Sequence, residues 1–221
     1  MSARWRLLQI ADTGFPTGSF AHSAGLEAAF HMGQANTTAG LDAYIRAHLW
    51  NVGSSSLPFV AAAHDDPEAV WALDARMDAQ MLNHVANRAS RTQGRTFLAT
   101  CAQVFEEPAI DALATRAASR EVPAHLAPAF GAVLRTLVID RADTLALHVL
   151  LALRGVASAA VRLGIVGPHE SHRLQRRHGQ TLDAVLLECS GRGPEDAACV
   201  APLLDVFGPR HDQLYARLFQ S

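Results

Sequence analysis

Histidine and glutamate side chains gather near residue 170 at spacings close to those of a zinc-binding helix. The segment "PHESH" carries His169, Glu170 and His172, and His178 follows six residues later. A His-Glu-x-x-His motif places its histidines four residues apart on one helix face. Here the histidines are three apart, so they can share a face while Glu170 points away from it. His169, His172 and His178 are therefore candidate metal ligands, but a solvated helical turn is the simpler interpretation.

The three cysteines, Cys101, Cys189 and Cys199, are too few and too scattered for a disulfide framework, and none forms a Cys-x-x-Cys zinc motif. Cys189 and Cys199 flank the loop "SGRGPED", where a thiol pair is one interpretation. Two idle thiols in a reducing compartment are the simpler one.

The segment "GFPTGSFAHSAGLEAAF", residues 14–30, places turn-forming and hydroxyl residues before an alanine- and leucine-rich helix. A serine nucleophile on a strand-to-helix turn needs Gly-x-Ser-x-Gly, which is absent. Pro16 and Gly18 fit a tight turn, because proline fixes φ and glycine accepts the left-handed conformation. Ser23 is the predicted N-cap of the helix, and Glu27 complements its positive end. A turn with a cap is favoured, and a functional surface is the alternative.

The elements that position these residues are helices, since alanine, leucine and arginine dominate and strand-like alternation is missing. Helices are predicted over 5–11, 25–32, 38–52, 68–87 continuing to 105, 129–138, 142–163 and 169–188, and a last amphipathic stretch ends in a polar tail. Pro108 is interpreted as a break. The helix over 142–163 is apolar nearly all round, which indicates a central buried helix. Thr37 or Thr38 is the expected cap of the third helix. We predict an all-α fold, a single domain of roughly ten helices over residues 1–221. Its tail, residues 208–221, is expected to stay flexible until a partner binds it.

The charge balance excludes several functions. All nineteen basic residues are arginine, so a lysine Schiff base, a lysine general base and a phosphate-loop lysine are absent. The formal net charge of −2 argues against nonspecific binding to nucleic acid or to an anionic membrane. Arginine is instead suited to pairing with the carboxylates of a partner protein.

No segment has the pattern of a signal peptide or a membrane span. The start, "MSARWRLLQIADTG", lacks a continuous apolar stretch. The most apolar run, residues 144–167, is interrupted by His148, Arg154 and Arg162. We therefore expect a cytoplasmic protein. The two arginines are interpreted as the polar edge of a packed helix or as part of a subunit interface.

The ending "FGPRHDQLYARLFQS" concentrates aromatic and aliphatic side chains. Leu214, Tyr215 and Leu218 lie at helical spacing, and Phe219 is expected to be exposed. Such a tail either packs on its own domain or inserts into a groove of a partner, and both alternatives stay open.

Four segments, in order along the chain, resemble the family of the urease accessory protein UreF. The N-terminal signature Pro-x-Gly-x-Phe-x-x-Ser-x-Gly-Leu-Glu is matched by Pro16, Gly18, Phe20, Ser23, Gly25, Leu26 and Glu27. "HLAPAFGAVLRTLVI" and "AVRLGIVGP", which contains Arg162, are similar to later motifs. The ending is similar to the family's C-terminal pattern, here His211, Tyr215, Arg217, Leu218 and Phe219. Ala21 replaces a frequent serine, and the histidines near residue 170 match no family hallmark.

This resemblance implies a helical, dimeric accessory protein that is not an enzyme. Members of the family bind the accessory protein UreD, called UreH in some systems, and the combined surface recruits the nickel-carrying GTPase UreG. The assembly delivers nickel to the urease apoprotein as UreG hydrolyses GTP. By resemblance, this chain is a chaperone and scaffold that modulates the GTPase, binds no cofactor itself, and uses the matched signature residues, Arg162 and the matched tail residues to bind partners.

Two other classes of function stay open from the residues alone. A metal-dependent or acid–base enzyme on a helical bundle needs carboxylates that face histidines, whereas the acidic residues here scatter toward helix ends. An all-α transcriptional or ligand-binding regulator needs a helix-turn-helix rich in basic and polar residues, and none is visible.

Overall fold

A computed structural model of the chain, described over residues 1–215 and 217–220, contains twelve α-helices and no β-strand in that part. The prediction of an all-α fold is confirmed. Two residues of the predicted tail, Ala216 and Ser221, lie outside the described residues. The helices are α1 (Ala3–Ala11), α2 (Leu26–His31), α3 (Thr38–Ser55), α4 (Leu57–Asp65), α5 (Val70–Gln80), α6 (His84–Phe105), α7 (Pro108–Ala118), α8 (Leu126–Thr136), α9 (Arg141–Arg162), α10 (Pro168–Arg177), α11 (Gly179–Cys189) and α12 (Pro202–His211).

Side-chain caps set several helix starts. The predicted cap Thr37 accepts a hydrogen bond from the Gly40 N–H at 3.1 Å and opens α3. Asp140 caps α9 in the same way, accepting from the Asp143 N–H at 3.0 Å.

The structure corrects the predicted helix over 68–105, which is two helices. Met81 leaves the helical conformation, and the Asn83 side-chain oxygen then accepts from the N–H groups of Val85 and Ala86 to start α6. This break was missed because the apolar spacing runs through it. The predicted helix over 169–188 is likewise divided at His178.

Two helices were not predicted at all. α4 has seven buried residues among its nine and therefore shows no amphipathic period. α7 begins at Pro108, which was interpreted only as a break, although proline is favoured in the first helical turn.

The core is organised around α9 and the pair formed by α4 and α8. As predicted, α9 is a central helix, and it packs against α3, α4, α10 and α11. Its length and hydropathy would suit a membrane span, but 56% of its most apolar stretch is buried inside the fold. α4 and α8 approach closely because Gly131 has no side chain; a Cβ there would lie 2.2 Å from the Val60 carbonyl oxygen.

We predict that Gly131→Ala lowers the free energy of unfolding by about 1–3 kcal/mol, because the new methyl group forces α4 and α8 apart. The matched control is Gly155→Ala in α9, where a Cβ has no atom within 4 Å. That substitution should stabilise the protein by about 0.5–1 kcal/mol, the usual gain from alanine in a helix. Urea denaturation followed by circular dichroism measures both, and equal effects at the two positions would contradict the close approach.

Candidate functional site

The N-terminal signature segment and the C-terminal tail meet around Arg162, the last residue of α9. Its guanidinium carbon lies 4.0 Å from the centre of the Phe20 ring and 4.1 Å from that of Phe219. The guanidinium also donates hydrogen bonds to the backbone carbonyls of Phe20 and Leu218. A cation between two aromatic rings contributes about 0.5–2 kcal/mol per ring, depending on solvent exposure. We call Phe20, Arg162, Leu218 and Phe219 the Arg162 platform.

A buried carboxylate holds the tail beneath this platform. Glu27 is 1% exposed, and its Oε1 accepts from the Leu218 N–H at 2.7 Å. Its Oε2 accepts from the Phe219 N–H at 3.3 Å and lies 2.9 Å from Nε2 of the fully buried His211. A carboxylate out of water is costly unless hydrogen bonds compensate it. Because the tail supplies two of these bonds, the burial of Glu27 depends on the tail being in place.

The start of α2 positions Glu27 differently from the prediction. Ser23 is not the N-cap; that position is Gly25, with φ of 86°. The Ser23 hydroxyl instead accepts from the Glu27 N–H at 3.4 Å. The backbone turns sharply at Ala24, whose φ is 55° and whose carbonyl accepts from the Tyr44 hydroxyl at 2.6 Å. Glycine is required next to it, since a Cβ at Gly25 would lie 3.1 Å from that hydroxyl.

The predicted turn at Pro16 and Gly18 rests on α6. The Thr100 hydroxyl donates to the Pro16 carbonyl at 2.8 Å. Gly18 has φ of 73°, and a Cβ there would lie 3.3 Å from the Thr96 side chain. The turn is therefore fixed in position before the chain reaches Phe20.

The predicted partner-binding residues divide into a buried and an accessible set. The buried ones are Ser23, Gly25, Leu26, Glu27, His211 and Phe219, and the exposed ones are Pro16, Phe20, Tyr215, Arg217 and Leu218. Gly18 and Arg162 are half-buried. Direct contact with another molecule is therefore open to the exposed set, whereas the buried set is enclosed by the fold.

Two expectations for the tail were wrong. Phe219 is 6% exposed, because it packs under Arg162 and the next residue, Gln220, donates to the Ala21 carbonyl at 2.8 Å. The helical spacing assumed beyond residue 211 does not apply, since α12 ends at His211. Within the Arg162 platform, the apolar side chains that face solvent are those of Phe20, 69% exposed, and Leu218, 61% exposed.

The histidines near residue 170 do not converge. His169 and His172 are exposed on α10, whereas His178 is buried with its Nε2 3.1 Å from Asp42 Oδ1. Burial lowers the pKa of His178. Across the described residues, no three histidine, cysteine or acidic side chains lie close enough to hold a metal ion. The cysteines do not pair either: Cys101 and Cys189 are buried thiols and Cys199 is an exposed one.

A cavity of about 280 Å³ inside the fold was missed by the sequence analysis. Apolar side chains such as Met77 and Phe130 line it together with His48 and His148. Burial lowers the pKa of both histidines to about 4, so both are neutral at pH 7. The Ser56 hydroxyl lies 3.1 Å from His148 Nε2. The lining comes from residues far apart in sequence, so no local motif marks it.

We predict a stability loss in mild acid that depends on His148. Its pKa is about 4 when folded and about 6.5 when unfolded, so the unfolded state binds more protons between these values. Stability is thus fully present above pH 6.5 and is lost as the pH falls toward 4. From pH 7 to pH 5 the contribution of His148 falls by about 2 kcal/mol.

Urea denaturation at the two pH values should therefore show a smaller acid-dependent loss in His148→Leu than in the unsubstituted protein. His169→Gln, at an exposed position, is the control and should leave the loss unchanged. An unaltered loss in His148→Leu would show that the acid sensitivity arises elsewhere.

We also predict that Glu27→Gln releases the tail, because an amide carries no charge and turns one acceptor into a donor facing backbone N–H groups. Hydrogen exchange should accelerate at Leu218 and Phe219, and the free energy of unfolding should fall by about 1–3 kcal/mol. Glu68→Gln, an exposed acid, serves as the control. Exchange measured by mass spectrometry on the C-terminal peptide tests this, and unchanged protection of that peptide would refute the role of Glu27.

The sequence matches a family of known proteins. Residues 35–178 match the family model described as UreF. This range excludes both the N-terminal signature and the C-terminal tail. The match to the family model is therefore independent of those two segments.

Curated relatives extend the similarity to the whole chain. A urease accessory protein F of Arabidopsis thaliana is 36% identical over 222 residues, covering 99% of this chain and 92% of the relative. One from Oryza sativa subsp. indica is 35% identical over 219 residues, covering 97% and 84%. The urease accessory protein UreF of Mycobacterium tuberculosis (strain H37Rv) is 31% identical over 216 residues, covering 97% of each chain. The chain therefore belongs to the UreF family of urease accessory proteins.

Proposed function

We propose that this protein matures urease as a scaffold that binds UreD (or UreH) through the Arg162 platform and recruits the GTPase UreG to the combined surface. UreG, in this proposal, carries the nickel and hydrolyses the GTP, and the assembly delivers nickel to the urease apoprotein. The chain itself makes and breaks no bond; it modulates the GTPase by holding it in place. Membership of the UreF family supports the part in urease maturation.

The observation that carries the proposal is an exposed apolar pair on a rigid support. Phe20 and Leu218 both face solvent, and the backbone carbonyls of both accept hydrogen bonds from the same guanidinium of Arg162. Burying two such side chains in an interface contributes about 1.5–3 kcal/mol each before ordering costs. Those costs are reduced here, since Glu27 already holds the backbone of the tail.

Exposed neighbours enlarge this surface. Tyr215 is fully exposed, and Arg217 is paired with Asp212 at 3.3 Å. Tyrosine and arginine are enriched among residues that dominate binding energy in interfaces. We propose that they surround the apolar pair in the bound state.

The proposed division of labour fits the chemistry of the chain. It lacks the lysine of a phosphate-binding loop, and the described residues offer no cluster of metal ligands. Nickel and GTP are therefore assigned to the partners. The proposal also includes a cytoplasmic location and a homodimer, for which the exposed Leu203 and Val206 of α12 provide apolar surface.

We predict that the double substitution Phe20→Ser and Leu218→Ser weakens co-purification with UreD by at least about tenfold, since the apolar contact is lost. Leu187→Ser, which removes a leucine on α11 that is 82% exposed, is the control. The readouts are recovery of tagged UreD and the nickel content of urease from the same cells. Full recovery of UreD by the double variant would disprove the proposed interface.

Point substitutions test the proposed UreD interface better than removal of the tail does. Deleting residues 212–221 takes away the backbone partners of Glu27 and uncovers a buried carboxylate. The truncated protein should therefore lose stability as well as the surface.

A further inference from the structure

Three arginines of α6 lie along one side of an open groove. Arg88, Arg91 and Arg95 are spaced at i, i+3 and i+7, which places them on one helix face. The groove has a volume of about 680 Å³. The remaining lining residues are Met81, Leu82, His84, Asn87 and Thr92, so the lining itself contains no acidic side chain.

The first carboxylate beside the groove is shared among several cations. Asp212 lies 3.0 Å from Arg88, 3.3 Å from His84 and 3.3 Å from Arg217. One carboxylate cannot neutralise two guanidinium groups, so positive charge remains at this end of the groove.

The second carboxylate is also committed elsewhere. Asp78 forms a long ion pair with Arg91, at 3.8 Å, and its hydrogen bonds are to His125 Nε2 at 3.0 Å and to the Asn87 amide at 2.9 Å. Arg95 lies near other positive charges. Burial first, and then repulsion from Arg91 and Arg120, lower its pKa. Among the residues that the structure describes, Arg88 is therefore the one arginine of the groove with a carboxylate within hydrogen-bonding distance.

The groove also offers one apolar contact. Leu82 is 91% exposed, in the short link between α5 and α6. A leucine that remains in water beside this row of arginines suits a ligand that carries both carboxylates and an apolar side chain.

We propose that this groove binds an acidic segment of a partner protein, whose carboxylates pair with Arg88 and Arg91 and whose apolar side chain packs on Leu82. A nucleic acid fits less well, because the lining has no phenylalanine, tyrosine or tryptophan ring on which bases could stack and the chain has a net charge of −2. Binding at this groove does not depend on the function proposed above, and it can be measured without any urease component.

The test uses a fluorescein-labelled twelve-residue peptide of glutamate with a central leucine, followed by fluorescence anisotropy. The double variant Arg88→Gln and Arg91→Gln should weaken binding about tenfold, the combined effect of two charge pairs. The matched control is Arg46→Gln with Arg173→Gln, which changes net charge equally at exposed arginines of α3 and α10. The control should bind as the unsubstituted protein does.

Leu82→Ser gives a second readout at a position too exposed to affect folding. It should weaken binding of the leucine-containing peptide about threefold and leave binding of pure polyglutamate unchanged. Circular dichroism melting checks that each variant is folded. No binding of the peptide, equal loss in the two arginine doubles, or tighter binding of random duplex DNA would each overturn the inference.

Discussion

The structure depends on a carboxylate that has no access to water. Glu27 sits in the first turn of α2, where the helix end favours an acid, but its hydrogen bonds come from residues nearly two hundred positions later. Burying that charge requires His211 and the tail backbone at the same time. One side chain thus links the folding of the N-terminal signature to the placement of the tail.

This link explains why some residues of the site are buried and others are exposed. The buried members fix backbone and rings, so the exposed Phe20 and Leu218 are displayed in a defined geometry. In the proposed complex, the partner meets a surface that folding has already ordered. The proposed peptide groove on α6 lies close to the tail, because Asp212 contacts both Arg88 and Arg217.

Much of the fold could be predicted from the sequence because it depends on local signals. Threonine at position 37 caps α3, and the apolar composition of α9 indicates a central helix. α4 and the break at Met81 could not be predicted, since full burial and a tertiary turn leave no period to detect. At the site, resemblance selected Glu27, Arg162 and the tail as a group, but only the structure brings them into contact. Phe219 was expected to be exposed to solvent. The side chain that covers it, Arg162, lies fifty-seven residues away in sequence, so no local pattern indicates the contact.

The most direct measurement of the central claim is hydrogen exchange of the co-expressed complex with UreD, compared with the free protein. If the joined signature and tail form the partner surface, residues 17–22 and 214–220 should gain protection in the complex. The helices remote from the platform, such as α7, should be unchanged. Protection that appears only on other helices, with both of these segments exchanging as in the free protein, would contradict the account.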